Sequence, residues 1–299
     1  MSFMDNLNIG EPTAAGGLKV FPLYPLDPVA LDVALLADAV AHKDATIAED
    51  VHAEGPWYRH VVIENRGKIA VLVRDGDLLL GGMQDRTAER SCVVPAHAKV
   101  TVPALCVEQR RSHYAGREDF AVSRTSADPE LRSTRVSASM RGQPLQEMTW
   151  DMVGTRRKSR GIADDTGSLR DVEVREAARL TDIEAKLPPV HLASGVAIAW
   201  AGRSGGMSLH VEIFGNAQAC AGAWPGLVRA AAQCTQPKAR APRVSRSELR
   251  KIFREASAAK LESTPAVGAG ELRRAELDAG VVTVLSLEGR LVHASLFAA

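Results

Sequence analysis

The chemistry of this chain is concentrated in Gly81-Gly82-Met83-Gln84-Asp85-Arg86-Thr87-Ala88-Glu89-Arg90-Ser91, which follows directly on the apolar run Leu78-Leu79-Leu80. Two adjacent glycines let the backbone turn sharply or approach a ligand closely. The residues after them deliver a carboxamide, a carboxylate and a guanidinium in quick succession. A second apolar stretch, Val102–Val107, ends in Glu108 and is followed by Gln109, Arg110, Arg111 and His113. If the two stretches are neighbours, Arg86 lies beside Glu108. In the functional reading, Gly82, Gln84, Asp85 and Arg86 line a pocket for a small anionic ligand, with Arg111 and His113 nearby. Glu108 then serves as base or hydroxyl acceptor, and in a hydrolase Asp85 would hold a divalent cation. In the architectural reading, Arg86 and Glu108 form a partly buried ion pair that pins strand register, and Gln84 satisfies loop backbone. The sequence leaves both open.

Other patterns carry less. Gly202-Arg203-Ser204-Gly205-Gly206 matches GxSxG, but Ser208–Phe214 after it alternates like a strand, whereas a nucleophile elbow needs a helix there. Ser257-Ala258-Ala259-Lys260 matches SxxK without companion motifs. The eight histidines are scattered, and no Cys/His group has zinc spacing, so no metal ligands are assigned. No phosphate-cradling glycine loop is recognisable, and the cofactor stays unknown. Arg156, Arg157, Lys158 and Arg160 follow an expected helix end. Lys238, Arg240, Arg243, Arg246, Arg250, Lys251 and Arg254 have only Glu248 as local acid. Without interleaved aromatics both clusters read as solvated faces, and nucleic acid is not an expected partner.

The elements that must position these residues alternate in type. Leu18–Tyr24 reads as a strand and Pro28–Ala41 as a helix, with Asp27 as N-cap and Val33, Leu36, Ala37 and Val40 on one face. From Trp57 to Glu108 the period is that of strands: Tyr58–Glu64, Lys68–Arg74, Arg74–Leu80 turning at Asp75-Gly76 as a hairpin, Ser91–Pro95 and Lys99–Val107. Pro103 puts its strand at a sheet edge or a bulge. Segments 128–140, 144–158 and 167–186 read as helices. Strands are expected at Gly195–Trp200, Ser208–Phe214, Val281–Leu287 and Leu291–Phe297. Ala217–Cys234 is helical around Pro225, and the capping box Ser245-Arg246-Ser247-Glu248 opens a last helix. The expected fold class is α+β, with an antiparallel β-rich N-terminal half, a helical middle and a smaller mixed C-terminal unit. The division predicted is 1–17 loosely ordered, 18–125 β-rich, 126–187 helical and 188–299 mixed, with a single domain over 18–299 as the alternative.

The chain has 299 residues, 37 basic against 36 acidic, and 45% hydrophobic composition, which suits an ordinary globule. No apolar run is long enough to span a bilayer, and the N-terminus lacks the basic region of a secretory signal. Cys92, Cys106, Cys220 and Cys234 lie in apolar segments without CxxC spacing. They read as buried free thiols of a reducing cytoplasm rather than a redox pair. A homo-oligomer is compatible with all of this.

At Gly81, Gln84, Arg86, Ser91, Val94-Pro95 and Cys106-Val107-Glu108 the sequence resembles a bacterial family, the ADP-ribosylglycohydrolase- and rhodanese-phosphatase-associated protein domain. Ile47-Ala48-Glu49 and Val61–Asn65 fit the same pattern. Met83 and Asp85 depart from it, as does Ser112-His113-Tyr114 where the family has a tryptophan. The family is named for its genomic company with ADP-ribose- and NAD-processing proteins. The resemblance implies an accessory or ligand-binding protein for ADP-ribose-like or nucleotide-derived metabolites. The alternatives are a hydrolase of such compounds, in which divalent metal takes part, or a structural interaction module.

Overall fold

The computed structural model describes residues 4, 6–26, 31–50, 59–114, 119–163, 166–202, 206–265 and 267–299. From the N-terminus come β1 (Leu7–Ile9), β2 (Thr13–Ala15), β3 (Leu18–Pro25), β4 (Val33–Leu35), α1 (Leu36–Ala41) and β5 (Ala45–Glu49). There follow β6 (His60–Asn65), β7 (Ala70–Val73), β8 (Leu78–Gly81), β9 (Arg86–Ala88), β10 (Cys92–Val94), β11 (Lys99–Cys106) and β12 (Phe120–Val122). The helical middle is α2 (Pro129–Met140), α3 (Leu145–Ser159), α4 (Arg170–Arg175) and α5 (Ala177–Lys186). The last part holds β13 (Gly195–Ala201), β14 (Met207–Phe214), α6 (Ala217–Ala232) and α7 (Arg246–Ala258). It ends with β15 (Glu262–Ser263), β16 (Glu271–Leu277), β17 (Gly280–Leu287) and β18 (Arg290–Ala298). The α+β class expected from the sequence is the class observed, with antiparallel sheets and helices in the middle and C-terminal regions. Among the described residues no helix is long and apolar enough to cross a membrane.

Two compact units share the chain. The first comprises residues 1–33, 181–266 and 270–299, and the second 34–180 and 267–269. In the first, a nine-stranded sheet runs β1-β3-β13-β14-β18-β17-β16-β15, with β2 paired to β3. Thus β3, near the N-terminus, is hydrogen-bonded to β13, with Phe21 opposite Ala197. One sheet face buries Leu23, Val211, Val284 and Leu296 with Leu249 and Phe253 of α7. The capping box at Ser245 and Glu248 starts that helix as the sequence predicts. Helix α6 packs on β13 and β14 and runs through Pro225. Strand alternation puts His210, Glu212 and Phe214 on the opposite face from Leu209, Val211 and Ile213.

The second unit holds the order β12-β8-β9-β11-β6-β5 and a smaller sheet, β10-β7-β4. Its core gathers Leu36, Ile47, Ile63, Val73, Leu79, Val94 and Val102. A second cluster joins Leu78 and Val107 to Leu131, Val153 and Val172 of the helices. Asp128 caps α2 by accepting from the Leu131 amide at 3.1 Å, with Pro129 in the first turn.

Several local expectations change in this unit. The helix expected over 28–41 is confined to Leu36–Ala41, because Val33–Leu35 form β4 instead; Asp27 and Pro28 lie outside the described residues. Burying Val33 and Leu35 in alternation outweighs the helical spacing read from Val33. The Asp75-Gly76 turn closes tightly, with Asp77 N donating to Arg74 O at 3.0 Å, yet it joins no hairpin. β7 pairs with β10, and β8 pairs with β9 and β12. The Asp75 carboxylate accepts from Arg132 and Arg135 of α2, so the turn is clamped to a helix. Pro103 sits in a central strand rather than at an edge. β11 pairs with β6 up to Pro103 and with β9 from Ala104, so the missing N–H falls where neither ladder needs it. The helix expected over 167–186 is split into α4 and α5 around Glu176.

Candidate functional site

The turn between β8 and β9 is built as its glycines foretell. Gly81 has φ +136° and Gly82 φ +53°. A Cβ on Gly82 would lie 2.5 Å from Glu49 Oε1 and 2.4 Å from Phe120 Cζ, so only glycine fits there. β9 lies between β8 and β11, which sets Arg86 opposite Leu79 on one side and Cys106 on the other. Glu108 follows two residues later, so the strands do bring the two sequence stretches together.

The ion pairs differ from the expected one. Arg86, 0% exposed, pairs with Glu49 and donates through Nη1 to His60 O at 2.7 Å. Its guanidinium carbon lies 5.5 Å from the Phe120 ring centroid. Glu49 also accepts from Met83 N at 2.9 Å. Glu108 instead takes Arg111, whose Nε donates to Oε2 at 2.8 Å, and it accepts from Asp85 N at 3.0 Å. Arg111 spends its other donors on Gly82 O at 2.6 Å, His113 O at 3.1 Å, and Gly81 O and Asp85 Oδ1 at 3.3 Å each. Asp85 accepts further from Gly81 N at 2.9 Å and Ser168 Oγ at 3.3 Å. Gln84 Oε1 accepts from the Cys106 thiol at 2.9 Å, and the Gln84 amide nitrogen has no acceptor among the described residues. His113 meets the cluster only through its carbonyl; its side chain belongs to an exposed stretch.

The environment separates the two neighbouring carboxyls. Burial, then the charge of Glu108, pushes Asp85 upward against the pull of the Gly81 N–H, Arg111 and Ser168. Burial also opposes ionisation of Glu108, but Arg111 and the Asp85 N–H more than offset it and hold that group below the ordinary range. Together with Glu49, these carboxyls share the guanidinium groups of Arg86 and Arg111. All four cysteines are free and buried. Burial drives Cys106 to about 11 and Cys92 to about 12, so neither supplies a thiolate at neutral pH.

Sequence reasoning did not assign Glu49, Gln146, Phe120 or Ser168. Gln146 from α3 accepts from Cys106 N and donates to Cys106 O, both at 2.9 Å, standing in for a strand neighbour. Glu49 had a readable signal: it is in phase with Ala45 and Ile47, the inward residues of β5. A second buried polar group lies in the other unit. Glu212, 0% exposed, accepts from Ser295 Oγ at 3.0 Å and meets His210 Nε2 at 2.8 Å and His293 Nε2 on its other oxygen. His210 stacks on Phe297 with centroids 4.7 Å apart. Two of the scattered histidines thus converge on one carboxylate. Ser295 Oγ contacts the same carboxylate directly.

No curated protein and no solved structure matches the chain. The model of one family does, over residues 6–297 and including the Gly81–Arg86 turn, β11 and Glu108. The chain therefore belongs to the ARPP-1 family, the ARG and Rhodanese-Phosphatase-superfamily-associated Protein domain.

Proposed function

We propose that this protein is a non-catalytic accessory protein of ADP-ribose-linked metabolism that recognises a nucleotide-derived compound at the Gly81–Asp85 turn. One observation carries the non-catalytic part. Glu49, Asp85 and Glu108 each accept from at least two of the protein's own donors. A base for hydrolysis or a ligand for a divalent ion must first give up those bonds, at a cost that grows with burial. The same bonds hold the turn in one shape, which lowers the ordering cost of binding. In this reading the amide nitrogen of Gln84 meets a ligand acceptor, and the exposed His113 approaches its charged part. Arg86, committed to Glu49, supports the turn and does not hold the anion itself. The ADP-ribose class comes from the family's association.

The test is thermal denaturation with ADP-ribose, NAD and AMP, with and without Mg²⁺. A ligand at about 100 times its dissociation constant stabilises the native state by roughly 2.7 kcal/mol. The expected result is a shift with ADP-ribose that is lost in Gln84→Ala, a variant whose own melting stays near wild type. No shift with any compound, or a shift that Gln84→Ala leaves intact, refutes the proposal. The opposed displacement of Asp85 and Glu108 favours a hydrolase as the second reading, since separated carboxyls suit acid and base roles. Turnover of ADP-ribose that disappears in Glu108→Gln would establish it.

A further inference from the structure

Charge is unevenly spread along this chain. Residues 238–255 hold seven cations and two carboxylates, a surplus of +5 in a chain whose net charge is +1. All seven cations are exposed. Among the described residues only Arg246 has a carboxylate partner, Glu11, and both of those side chains are exposed.

Helix α7 organises this charge. Its buried face is Leu249, Phe253 and Ala256. Arg246, Arg250 and Arg254 recur every fourth residue, so they stand in a row along one flank, about 6 Å apart along the axis. Glu248 and Glu255, seven residues apart, fall on the other flank, and Lys251 lies between the two rows. The capping box fixes the first turn, with Ser245 N donating to Glu248 Oε2 at 2.7 Å. The arginine row therefore sits on a helix that is ordered from its first residue.

We propose that the arginine flank of α7 is a docking surface for an acidic, helical segment of a partner protein. Carboxylates at i, i+4 and i+8 of such a segment match the spacing of the guanidinium forks, which bind carboxylates in a bidentate manner. The acidic flank argues for a protein partner, because a surface of mixed sign can satisfy both rows, whereas a phosphate backbone is repelled by one of them. The ridge also carries no aromatic side chain for base stacking.

Fluorescence anisotropy tests this with a labelled helical peptide bearing Glu at every fourth position, a labelled oligo-dT of similar length, and the intact protein at low salt. The peptide should bind and weaken as salt rises. Arg246→Gln/Arg250→Gln/Arg254→Gln should lower its affinity about tenfold or more, while Arg290→Gln, an exposed cation at the start of β18, leaves it unchanged. All three arginines are exposed, and a wild-type melting curve verifies that the triple variant is folded. Absence of peptide binding, equal binding by the triple variant, or tighter binding of oligo-dT than of the peptide overturns the proposal.

Discussion

Replacing Arg86 by methionine tests whether the buried pair with Glu49 holds the β8–β9 turn in place. The substitution keeps most of the side-chain volume but leaves the Glu49 carboxylate, 5% exposed, with the Met83 amide as its remaining described donor. It also removes the donor to His60 O. Breaking one side of a buried ion pair costs roughly 3–5 kcal/mol, because an uncompensated charge stays in low dielectric. For a unit of this size that corresponds to a melting-point drop of about 10 °C. Glu49→Gln alone should also destabilise, since it takes the carboxylate charge from a buried guanidinium while the bond to His60 O remains. The double variant Glu49→Gln/Arg86→Met removes both charges and keeps an acceptor for Met83 N, so it should return to within about 2 kcal/mol of wild type. Urea unfolding midpoints provide the assay, with amide exchange in β9 and β11 reporting this unit separately. A loss below about 1 kcal/mol in Arg86→Met, or losses that simply add in the double variant, refutes the buried-pair account.

Other consequences follow from the same geometry. Gly82→Ala should destabilise clearly more than Gly142→Ala in paired thermal melts: both have positive φ, but only Gly82 has Phe120 and Glu49 where the Cβ must go. Glu212→Ala should cost about 1–3 kcal/mol in urea titrations, because it removes the buried acceptor that His210, His293 and Ser295 share. The two carboxyls should show opposite pH trends in unfolding measurements. Glu108, lowered in the fold, stabilises above its unfolded pKa and loses that contribution as pH falls, so the deficit of Glu108→Gln shrinks in acid. Asp85, raised in the fold, contributes most below its unfolded pKa and loses that as pH rises through its folded pKa, so the deficit of Asp85→Asn shrinks toward neutral pH. Iodoacetamide at pH 8 should leave Cys92 and Cys106 unmodified in native protein and label them in urea, as read by mass spectrometry.

Within the chain, the features that depend on a few consecutive residues are legible in the sequence. The Gly81-Gly82 turn, the capping box of α7 and most strands of the second half follow from glycine conformational freedom, side-chain hydrogen bonds to nearby amides and the period-two alternation of buried residues. The convergence of Gln84, Asp85, Arg86 and Glu108 was also readable, because strands so close in sequence tend to pair. Which charges would pair was not. Arg86 takes Glu49 from 37 residues away, and Arg111 takes the Glu108 that Arg86 was expected to hold. The tight Asp75-Gly76 turn has the sequence of a hairpin, yet its strands enter different sheets, and Asp75 is held instead by Arg132 and Arg135. β3 joins β13, with Leu23 opposite Gly195, and His210 and His293 meet on Glu212 across the β14–β18 ladder. Strands close in the chain tend to pair, but closing a longer loop adds little further entropy cost, so distant pairings such as β3 with β13 are not excluded. That choice is made by which apolar faces bury together and by which buried charges find a partner, quantities that exist only once the tertiary structure has formed.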